Sequence, residues 1–445
     1  MGKQEKNQPL HRYWGADRIA VNLPTDEEPW LQGKKHALHK RSCSHARGSR
    51  ELVELLERYP LRWPSHPVYF FSDPHADTDA MLASLVASGG VKKTGRADHA
   101  FRLTKAGRNA HFIIGGDCFD KGPGNLRLLR TLKQLKNQEV NLRILAGNHD
   151  MRTLLGMQVV GGKRNLRNEH FFVRMGVKVV PLLKEINEEF LQGRHALKQI
   201  PGVKECRRQL YPSSRWFQEF PKLADAVMSP SGVEREMKRF RVKAENFEGQ
   251  CEVAELSLRQ VYAAALKWRE LFLKPKGEFA WFFQSLRLVQ RKGSFLYVHA
   301  GLDDHIADVI SKRGVGHLNR QFRERLFAGD PFEFYYGRVA NTIRTKYRAV
   351  DRPFSFRGAR AAHNSGIHAI VHGHRNLYHG QRISLRKEMV HFECDTTMDR
   401  NSRKKEGLQG IGAGVTVFRP EGVILGISND YPSIKIFSPE SLLLE

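Results

Sequence analysis

The chain contains few cysteines, and none of them stands in a paired motif. The five cysteines among the 445 residues are Cys43, Cys118, Cys206, Cys251 and Cys394. Their odd number and scattered positions argue against a disulfide framework, and the lack of a Cys-x-x-Cys spacing argues against a zinc knuckle. We therefore expect free thiols in a reducing compartment. Cys118 and Cys394 lie beside Asp117 and Asp395, where either could approach a bound metal, but we favour small packing residues.

Long apolar runs are also missing. No apolar stretch approaches the roughly 18 residues that a membrane-spanning helix needs. The first residues, Met1 to Lys6, are charged and lack the apolar core of a signal peptide, and Lys6 stands where a myristoylation motif has Ser or Thr. These features predict a protein with no membrane span and a cytoplasmic location.

Acidic residues are scarce relative to basic ones. The chain has 47 Asp and Glu residues against 73 Lys and Arg, which gives a formal net charge of +26. Such a surplus attracts anionic substrates, and it also allows binding to nucleic acid or to an acidic membrane surface. The charge leaves open which anion is involved, and a basic surface that is merely solvated is the alternative interpretation.

The length and overall composition limit the possible domain organisations. Hydrophobic residues make up 40% of the chain and charged residues 27%, which is typical of a globular protein. A chain of 445 residues exceeds the usual size of a single core. We therefore expect either two domains or one large domain that carries an insertion.

A strand, a loop and a helix are predicted around Asp117. The apolar run from His111 to Ile114 leads into Gly115-Gly116-Asp117-Cys118-Phe119-Asp120-Lys121-Gly122-Pro123, and an amphipathic repeat of leucines follows. This order puts Asp117 at the carboxyl end of a strand. In open α/β sheets, ligands bind at that edge, because the loops there are free to converge.

Four other predicted strands also end in polar residues. Val68 to Phe71 runs into Asp73 and His75, Val140 to Leu145 into Asn148, His149 and Asp150, Phe295 to Val298 into His299, and Ala369 to Val371 into His372 and His374. Carboxylates, an amide and imidazoles at five strand ends form a metal-site pattern. The alternation of strands and helices from Phe70 to Asp150 predicts a mostly parallel sheet with helices on its faces.

Taken in order, these motifs resemble those of the calcineurin-like metallophosphoesterase superfamily. The motifs are Asp73-x-His75, Gly116-Asp117-x-x-Asp120-Lys121-Gly122, Gly147-Asn148-His149-Asp150, His299-Ala300-Gly301 and Gly373-His374. The Asp-Lys-Gly and His-Ala-Gly elements resemble the phosphoprotein-phosphatase (serine/threonine phosphatase) branch, including its bacterial members and the related diadenosine tetraphosphate hydrolases. The resemblance covers roughly residues 67 to 150 and 294 to 428. It implies an α/β fold in which two facing sheets form a β-sandwich flanked by helices.

The resemblance also implies a centre of two divalent cations. Asp73, His75 and Asp117 are expected to bind the first cation, and Asn148, His299 and a late histidine, again with Asp117, the second. Two such cations, roughly 3.5 to 4 Å apart, polarise a phosphoryl oxygen and activate a bridging water as the attacking hydroxide. Mixed oxygen and imidazole ligands suit manganese, our first choice, or iron, zinc or cobalt, better than calcium.

Two histidines compete for the last ligand position. If the motif is Gly373-His374, then His374 binds the second cation. If the His-x-His form applies, His372 binds the second cation and His374 the first. We favour His374, because the phosphatase branch that the motifs resemble commonly has a single histidine here.

Catalytic and supporting roles follow from the same resemblance. His149 is the expected general acid for the leaving alkoxide, and Asp120 is expected to bind its other ring nitrogen and to hold the ring charged. Asp150, where the branch more often has Glu, is expected to support the ligands from the second shell. Lys121, where many relatives have Arg, is an expected phosphate-binding residue, which makes the contact a point charge in place of a bidentate clamp.

A further phosphate-binding arginine is expected in the basic helical portion after His299. Arg344 and Arg338 are the candidates.

The chain between His149 and His299 is far longer than the family needs. Its apolar periodicity is helical, with stripes from Met237 to Phe247, from Ala254 to Phe272 and from Phe279 to Val289. We predict a basic helical cap over residues 156–293 that helps to select substrates. The catalytic domain is then 67–155 and 294–430, with a closing hairpin from Gly414 to Ile427. Residues 1–66 are predicted to be an N-terminal extension and 431–445 a C-terminal tail.

Three functions fit these features. The leading one is a dinuclear-metal-dependent phosphatase that hydrolyses phosphomonoesters of a phosphoprotein or of a small phosphorylated metabolite. The second is a dinucleoside polyphosphate hydrolase or a phosphodiesterase that acts on nucleotides or RNA. The third is a catalytically inactive nucleic-acid-binding scaffold, against which the complete ligand set argues. The first two share every catalytic residue, so the sequence does not separate them.

Overall fold

Two β-sheets lie face to face in the computed structural model of the chain, which describes residues 11–30, 45–327 and 330–440, without the side chains of 45–49. The strands are β1 Asp26–Pro29, β2 Val68–Phe71, β3 Val91–Lys93, β4 Phe101–Leu103, β5 His111–Ile114, β6 Asn141–Leu145, β7 Leu286–Arg287, β8 Val289–Lys292, β9 Phe295–Val298, β10 Ala369–His372, β11 Arg382–Arg386, β12 Met389–Glu393, β13 Gly414–Phe418, β14 Ile424–Ser428 and β15 Ser433–Phe437. The larger sheet has the order β1-β15-β14-β13-β2-β5-β6-β7 and the smaller one β11-β12-β10-β9-β8, while β3 and β4 form a separate hairpin.

Helices cover the outer faces of the sheets and fill the long connection before β7. They are α1 His45–Arg58, α2 Thr78–Ala87, α3 Lys105–Arg108, α4 Asn125–Lys136, α5 Asn148–Gln158, α6 Phe171–Arg174, α7 Val180–Phe190, α8 Val203–Leu210, α9 Ser214–Ala224, α10 Pro230–Val253, α11 Leu258–Leu273, α12 Ala280–Ser285, α13 Asp304–Phe327, α14 Pro331–Tyr336, α15 Val339–Thr342, α16 Phe356–Asn364 and α17 Arg400–Lys405. In the part of the chain that the structure describes, no helix combines the length and apolarity needed to cross a bilayer.

The central strands bury both of their faces. Phe70 of β2 faces the smaller sheet, where its ring lies 5.7 Å from that of Tyr297. Its neighbour Tyr69 faces the other way and packs on Phe112, with ring centroids 5.1 Å apart. Successive side chains of a strand point to opposite faces, so a continuous apolar run is the signature of a strand buried on both. The predicted α/β fold of two facing sheets flanked by helices is confirmed.

The parallel strands bring the polar loops to one edge of the sandwich. In the larger sheet β2 pairs with β5 and β5 with β6, all parallel and with matched ends. In the smaller sheet β10 lies between β9 and β12 and is parallel to both. The carboxyl ends of parallel strands meet at the same edge of a sheet. The loops that follow β2, β5 and β6 in the larger sheet and β9, β10 and β12 in the smaller one therefore converge there.

The connection between α5 and β7 is helical, as its periodicity predicts. The last apolar stripe, from Phe279 to Val289, is helical only as far as Ser285. Leu286 pairs with Ile144 in the larger sheet, and Val289 pairs with Val298 in the smaller one. Short apolar runs fit a strand as well as a helix, so periodicity alone does not distinguish them. Residues 286–292 therefore belong to the two sheets, although we assigned them to the cap.

Both chain ends add strands to the larger sheet. The segment that we predicted to be a tail contains β15, which pairs with β14 and with β1 of the N-terminal extension. Pairing satisfies backbone groups that the edge of β14 would otherwise expose, which explains why the chain continues as a strand. Of the cysteines, the four in the described part are buried and unpaired, whereas Cys43 and the segment Met1 to Lys6 lie outside it.

Phe119, in the loop after β5, anchors the helical insertion to the catalytic body. Its fully buried ring stacks on Phe283 at 5.8 Å, makes an edge contact with Phe282 at 5.4 Å and lies tilted to Phe272 at 5.7 Å. All three partners belong to α11 and α12. The aromatic cluster therefore ties the position of the loop to the packing of the insertion.

We predict that Phe119→Ala lowers the free energy of unfolding by about 3–5 kcal/mol, because it removes a buried ring and leaves a cavity. Denaturant-induced unfolding measures this loss. Phe327→Ala is the control, because that side chain is 54% exposed and its removal should change stability by less than about 0.5 kcal/mol. Equal effects of the two substitutions would contradict the anchoring role.

Candidate metal centre

A buried carboxylate joins the loops that follow β5 and β6. Asp150 Oδ2 accepts hydrogen bonds from the backbone N–H groups of Gly147 and Asp117 at 3.0 and 2.9 Å. Its Oδ1 accepts from those of Cys118 and Phe119 at 2.8 and 3.2 Å. Burial and the nearby Asp117 raise the pKa of Asp150. Asp150 therefore sits behind the site, where the sequence places it, and holds the two loops together.

Asp117 lies at the centre of two groups of metal-binding atoms. One group is Asp117 with His75 and His149, the other Asp117 with His299 and His374, and within each group the donor atoms lie within 4.8 Å of one another. Asp117 Oδ2 lies 3.7 Å from His75 Nε2 and 3.6 Å from His299 Nε2. One carboxylate thus faces donors on both sides, which suits a bridging ligand.

Backbone carbonyls set the tautomer of three histidines at the site. His75 Nδ1 lies 3.3 Å from Phe119 O, His299 Nδ1 2.8 Å from Gly115 O, and His374 Nε2 3.1 Å from Arg344 O. A carbonyl only accepts, so the nitrogen facing it carries the proton. The other nitrogen of a neutral ring then has a free lone pair, as metal-binding histidines require.

His372 and His374 differ in this respect. His372 donates from Nδ1 to Gly373 O at 3.1 Å, and its Nε2 accepts from Arg375 Nη2 at 3.1 Å. Both nitrogens of His372 are therefore engaged. The structure brings His374, and not His372, together with Asp117 and His299.

The donor set fits bound cations in two respects. His299 Nε2 and Asn148 Oδ1 face each other at 3.2 Å, an arrangement that needs a proton or a cation between two lone pairs. Burial opposes the charged form of His299, but the nearby carboxylates of Asp117 and Asp73 raise its pKa. In addition, Asp73 Oδ1 is buried without a hydrogen-bond partner, and burial raises the pKa of Asp73.

The backbone at the site is strained and closely packed. Asp73, His75, Asp117 and His374 all have positive φ, between 42° and 69°, a region that costs non-glycine residues about 1–2 kcal/mol each. Gly147 allows the loops to approach, because a Cβ at this position would lie 2.1 Å from the Asp117 backbone nitrogen. The sequence motif thus carries glycine where the neighbouring loop leaves no room for a side chain.

A carboxylate and a guanidinium both lie beside the His149 ring. Its Nδ1 lies 3.0 Å from Asp120 Oδ2, the residue that the sequence pairs with it. Burial, followed by the charge of Arg152, holds the pKa of His149 well below its ordinary value. The expectation that Asp120 holds this ring charged stays a prediction.

Two residues at the site were missed from the sequence. Arg152 Nη2 donates to Asp120 Oδ2 at 2.5 Å and lies 2.9 Å from His149 Nδ1. Its position three residues after His149 on α5 is the signal that would have found it. Asp395 follows β12 and is buried beside Asp73, and burial together with the Asp73 charge raises its pKa well above the ordinary value. Asp395 repeats the pattern of a carboxylate at a strand end.

Two of the three predicted phosphate-binding residues lie at the site and one lies away from it. Lys121 reaches the site, where its Nζ lies 2.7 Å from His75 Nε2, so the ammonium group occupies the nitrogen that a cation would use. Arg344 lines the cavity above the site. Arg338 does not, since it is exposed and its Nη1 lies 3.1 Å from His305 Nδ1.

A large cavity of about 1350 Å³ opens over these residues. Its floor contains Asp73, His75, Asp117, Asn148 and His149, and lysines and arginines outnumber acidic residues in its walls. Burial, with the charges of Arg152 and Lys121, lowers the pKa of Lys178 in the wall to about 8. The cavity is built to attract an anion.

We predict that Asp150→Asn lowers the free energy of unfolding by about 1–3 kcal/mol, because the amide leaves buried N–H groups without an acceptor. Denaturant-induced unfolding of the metal-free protein measures this loss. Asp225→Asn, at an exposed position of the insertion, is the control and should have no effect. Unchanged stability of the Asp150 variant would show that the loops hold their positions without this carboxylate.

Comparison with solved structures finds phosphatases of low similarity. A cold-active protein-tyrosine phosphatase of a psychrophilic Shewanella species has 13% identity and a TM-score of 0.43, over 83% of this chain and 80% of that chain. A protein serine/threonine phosphatase from Saccharomyces cerevisiae has 14% identity and a TM-score of 0.35, over 88% and 87%. These TM-scores are too low to support an assignment, and no curated protein matches the chain.

Comparison with protein families is informative. Residues 66–241 match the model of the calcineurin-like phosphoesterase family. The match includes the loops that carry Asp73, Asp117 and Asn148, and the structure adds His299 and His374 from the smaller sheet. This part of the chain is therefore similar to the calcineurin-like phosphoesterases, a family of metal-dependent hydrolases of phosphoric esters.

Proposed function

We propose that this hydrolase is a phosphatase of the phosphoprotein-phosphatase branch that cleaves phosphomonoesters, either of phosphoproteins or of small phosphorylated metabolites. The observation that carries the proposal is the pair of donor groups that share Asp117. The basic cavity above them supports an anionic phosphorylated substrate. The comparisons give no support for a nucleic-acid partner. A cytoplasmic location stays a proposal that rests on the sequence.

Two divalent cations, with manganese as the first choice, fit the donors. We assign Asp73, His75 and Asp117 to the first cation, and Asn148, His299 and His374, again with Asp117, to the second. When bound, such a pair supplies Lewis-acid stabilisation of phosphoryl charge and an activated water. The structure supports His374 over His372, because Arg375 engages the lone pair of His372.

The residues of the chain supply proton transfer and anion binding. His149 is the general acid of the proposal, oriented through Nδ1 by Asp120. Burial and the charge of Arg152 lower the pKa of His149, whereas the negative charge of a bound phosphate ester favours the charged ring. Arg152, Lys121 and Arg344 line the cavity and are the proposed cationic contacts of the phosphoryl oxygens.

For His149→Ala we predict retained metal and a turnover number that is lower by roughly 10²- to 10⁴-fold on alkyl phosphates, because the leaving alkoxide loses its proton donor. The loss should shrink on aryl phosphates, whose leaving groups need no proton. Steady-state kinetics on both substrate classes, with metal analysis of the same preparation, checks this. An equal loss on both classes would rule out the general-acid role.

The substrate class is tested by a turnover panel with manganese. The panel compares a phosphopeptide, a nucleoside monophosphate, a dinucleoside tetraphosphate and a short RNA. We predict release of inorganic phosphate from the two monoesters. Turnover confined to the tetraphosphate or to RNA would replace the proposal with the nucleotide-directed alternative.

A further inference from the structure

A second cavity opens from the main one, between the insertion and the catalytic body. It has a volume of about 370 Å³ and lies between α10 on one side and α14 and α15 on the other. Asn148 and Arg152 belong to the walls of both cavities, so the second cavity begins at the metal centre. Its volume is within the range of small-molecule sites, roughly 300–1,000 Å³.

The second cavity has more positive charge than its acidic residue neutralises. Its charged lining consists of Arg152, Arg174, Arg239, Lys243 and Arg344, with Glu236 as the acidic residue. Arg152 is paired with Asp120, and Arg174 with Glu236. Across the described ranges, no carboxylate oxygen lies within the 4.0 Å ion-pair distance of Arg239, Lys243 or Arg344. Three cationic groups therefore face this space without an ion-pair partner.

A tyrosine organises the cationic groups. The guanidinium groups of Arg174 and Arg344 both lie over the ring of Tyr335, at 4.2 and 4.9 Å from its centroid. Its hydroxyl accepts a hydrogen bond from Arg174 Nη1 at 2.6 Å. Two arginines stacked on one ring have restricted side-chain freedom, so they lose little entropy on binding an anion.

Lys243 completes the site from α10. Its Nζ donates to Arg174 O at 3.0 Å, which directs the ammonium group along the cavity wall. Burial and the charges of Arg174 and Arg152 lower the pKa of Lys243 to about 7. An anion in the cavity would offset the repulsion between these cations.

We propose that this second cavity binds a second anionic group of the substrate while the reacting phosphoryl group lies at the metal centre. The inference rests on the proposed phosphatase function and narrows its substrate class. The substrate is a phosphomonoester that carries a further phosphate or carboxylate, separated from the first by a short linker. The small volume of the cavity favours such a compact molecule over a protein segment.

Linear diol bisphosphates of increasing linker length, each compared with the alkyl monophosphate of equal length, test the inference. With manganese present, we expect the wild type to prefer one bisphosphate over its monophosphate by roughly 10- to 100-fold in kcat/KM, mainly through KM, as charge-assisted hydrogen bonds of this kind provide. Calorimetric titration with the corresponding non-hydrolysable bisphosphonate and monophosphonate should show the same preference in Kd. Monophosphates of the same linker length that carry a terminal carboxylate show whether the second cavity prefers a phosphate or a carboxylate.

The test variant is Arg239→Gln with Lys243→Gln, which removes two charges from the cavity and leaves the metal centre intact. The control is Lys238→Gln with Arg241→Gln, which removes two charges from exposed positions of the same helix that do not line the cavity. We expect the test variant to lose the bisphosphate preference and to keep wild-type kinetics on an aryl phosphate. The control variant should keep the preference.

The outcomes separate this inference from the proposed function. If the wild type hydrolyses aryl and alkyl phosphates but treats bisphosphates and monophosphates alike at every linker length, the inference is wrong and the phosphatase function stands. If the test and control variants weaken the preference equally, the effect is long-range attraction and not a binding site. If no phosphomonoester is hydrolysed, the proposed function itself fails.

Discussion

The bonds from four backbone N–H groups to Asp150 are the constraint on which the metal centre depends. Through them, one side chain at the start of α5 sets the distance between the loop after β5 and the loop after β6. Asp117 and Asn148 occupy these loops, so their donor atoms have fixed positions before any cation arrives. The cost is a buried carboxylate near other carboxylates, which raises the pKa of Asp150.

Residues of the smaller sheet and of the insertion also help to fix the positions of the donor atoms. Carbonyl groups bind one ring nitrogen each of His75, His299 and His374 and turn the other toward the site, and His75 and His374 have left-handed backbone. Phe119 ties the Asp117 loop to the insertion. The insertion in turn supplies the basic walls of both cavities. Packing, strain and charge at this edge of the sandwich are therefore linked through a few residues.

Much of this arrangement could be predicted from the sequence. Five apolar runs that end in polar residues identify the strand ends, because buried parallel strands read as continuous apolar segments. The motifs around Asp117 and Asn148 resemble a known family strongly enough to suggest the ligands. Long-range features were not accessible in this way. The strands at 286–292 and 433–437 depend on pairing with distant partners, and short apolar runs do not reveal it.

The surroundings of His149 show the same limit at the level of single residues. Asp120 was recognisable as its partner, but the effect of Arg152 depends on the orientation of a side chain that the sequence does not specify. Asp395 and the cationic groups around Tyr335 also come together only in the folded chain. Local motifs therefore identify the donors, whereas the electrostatics around them follows from tertiary packing.

The central claim is that two cations share Asp117, and metal analysis of an Asp117→Asn variant tests it most directly. The wild type and the variant are loaded with manganese, freed of unbound metal and analysed for metal content. We predict two equivalents in the wild type and none in the variant, because a neutral amide does not bridge two cations. Two full equivalents in a folded Asp117→Asn variant would contradict it.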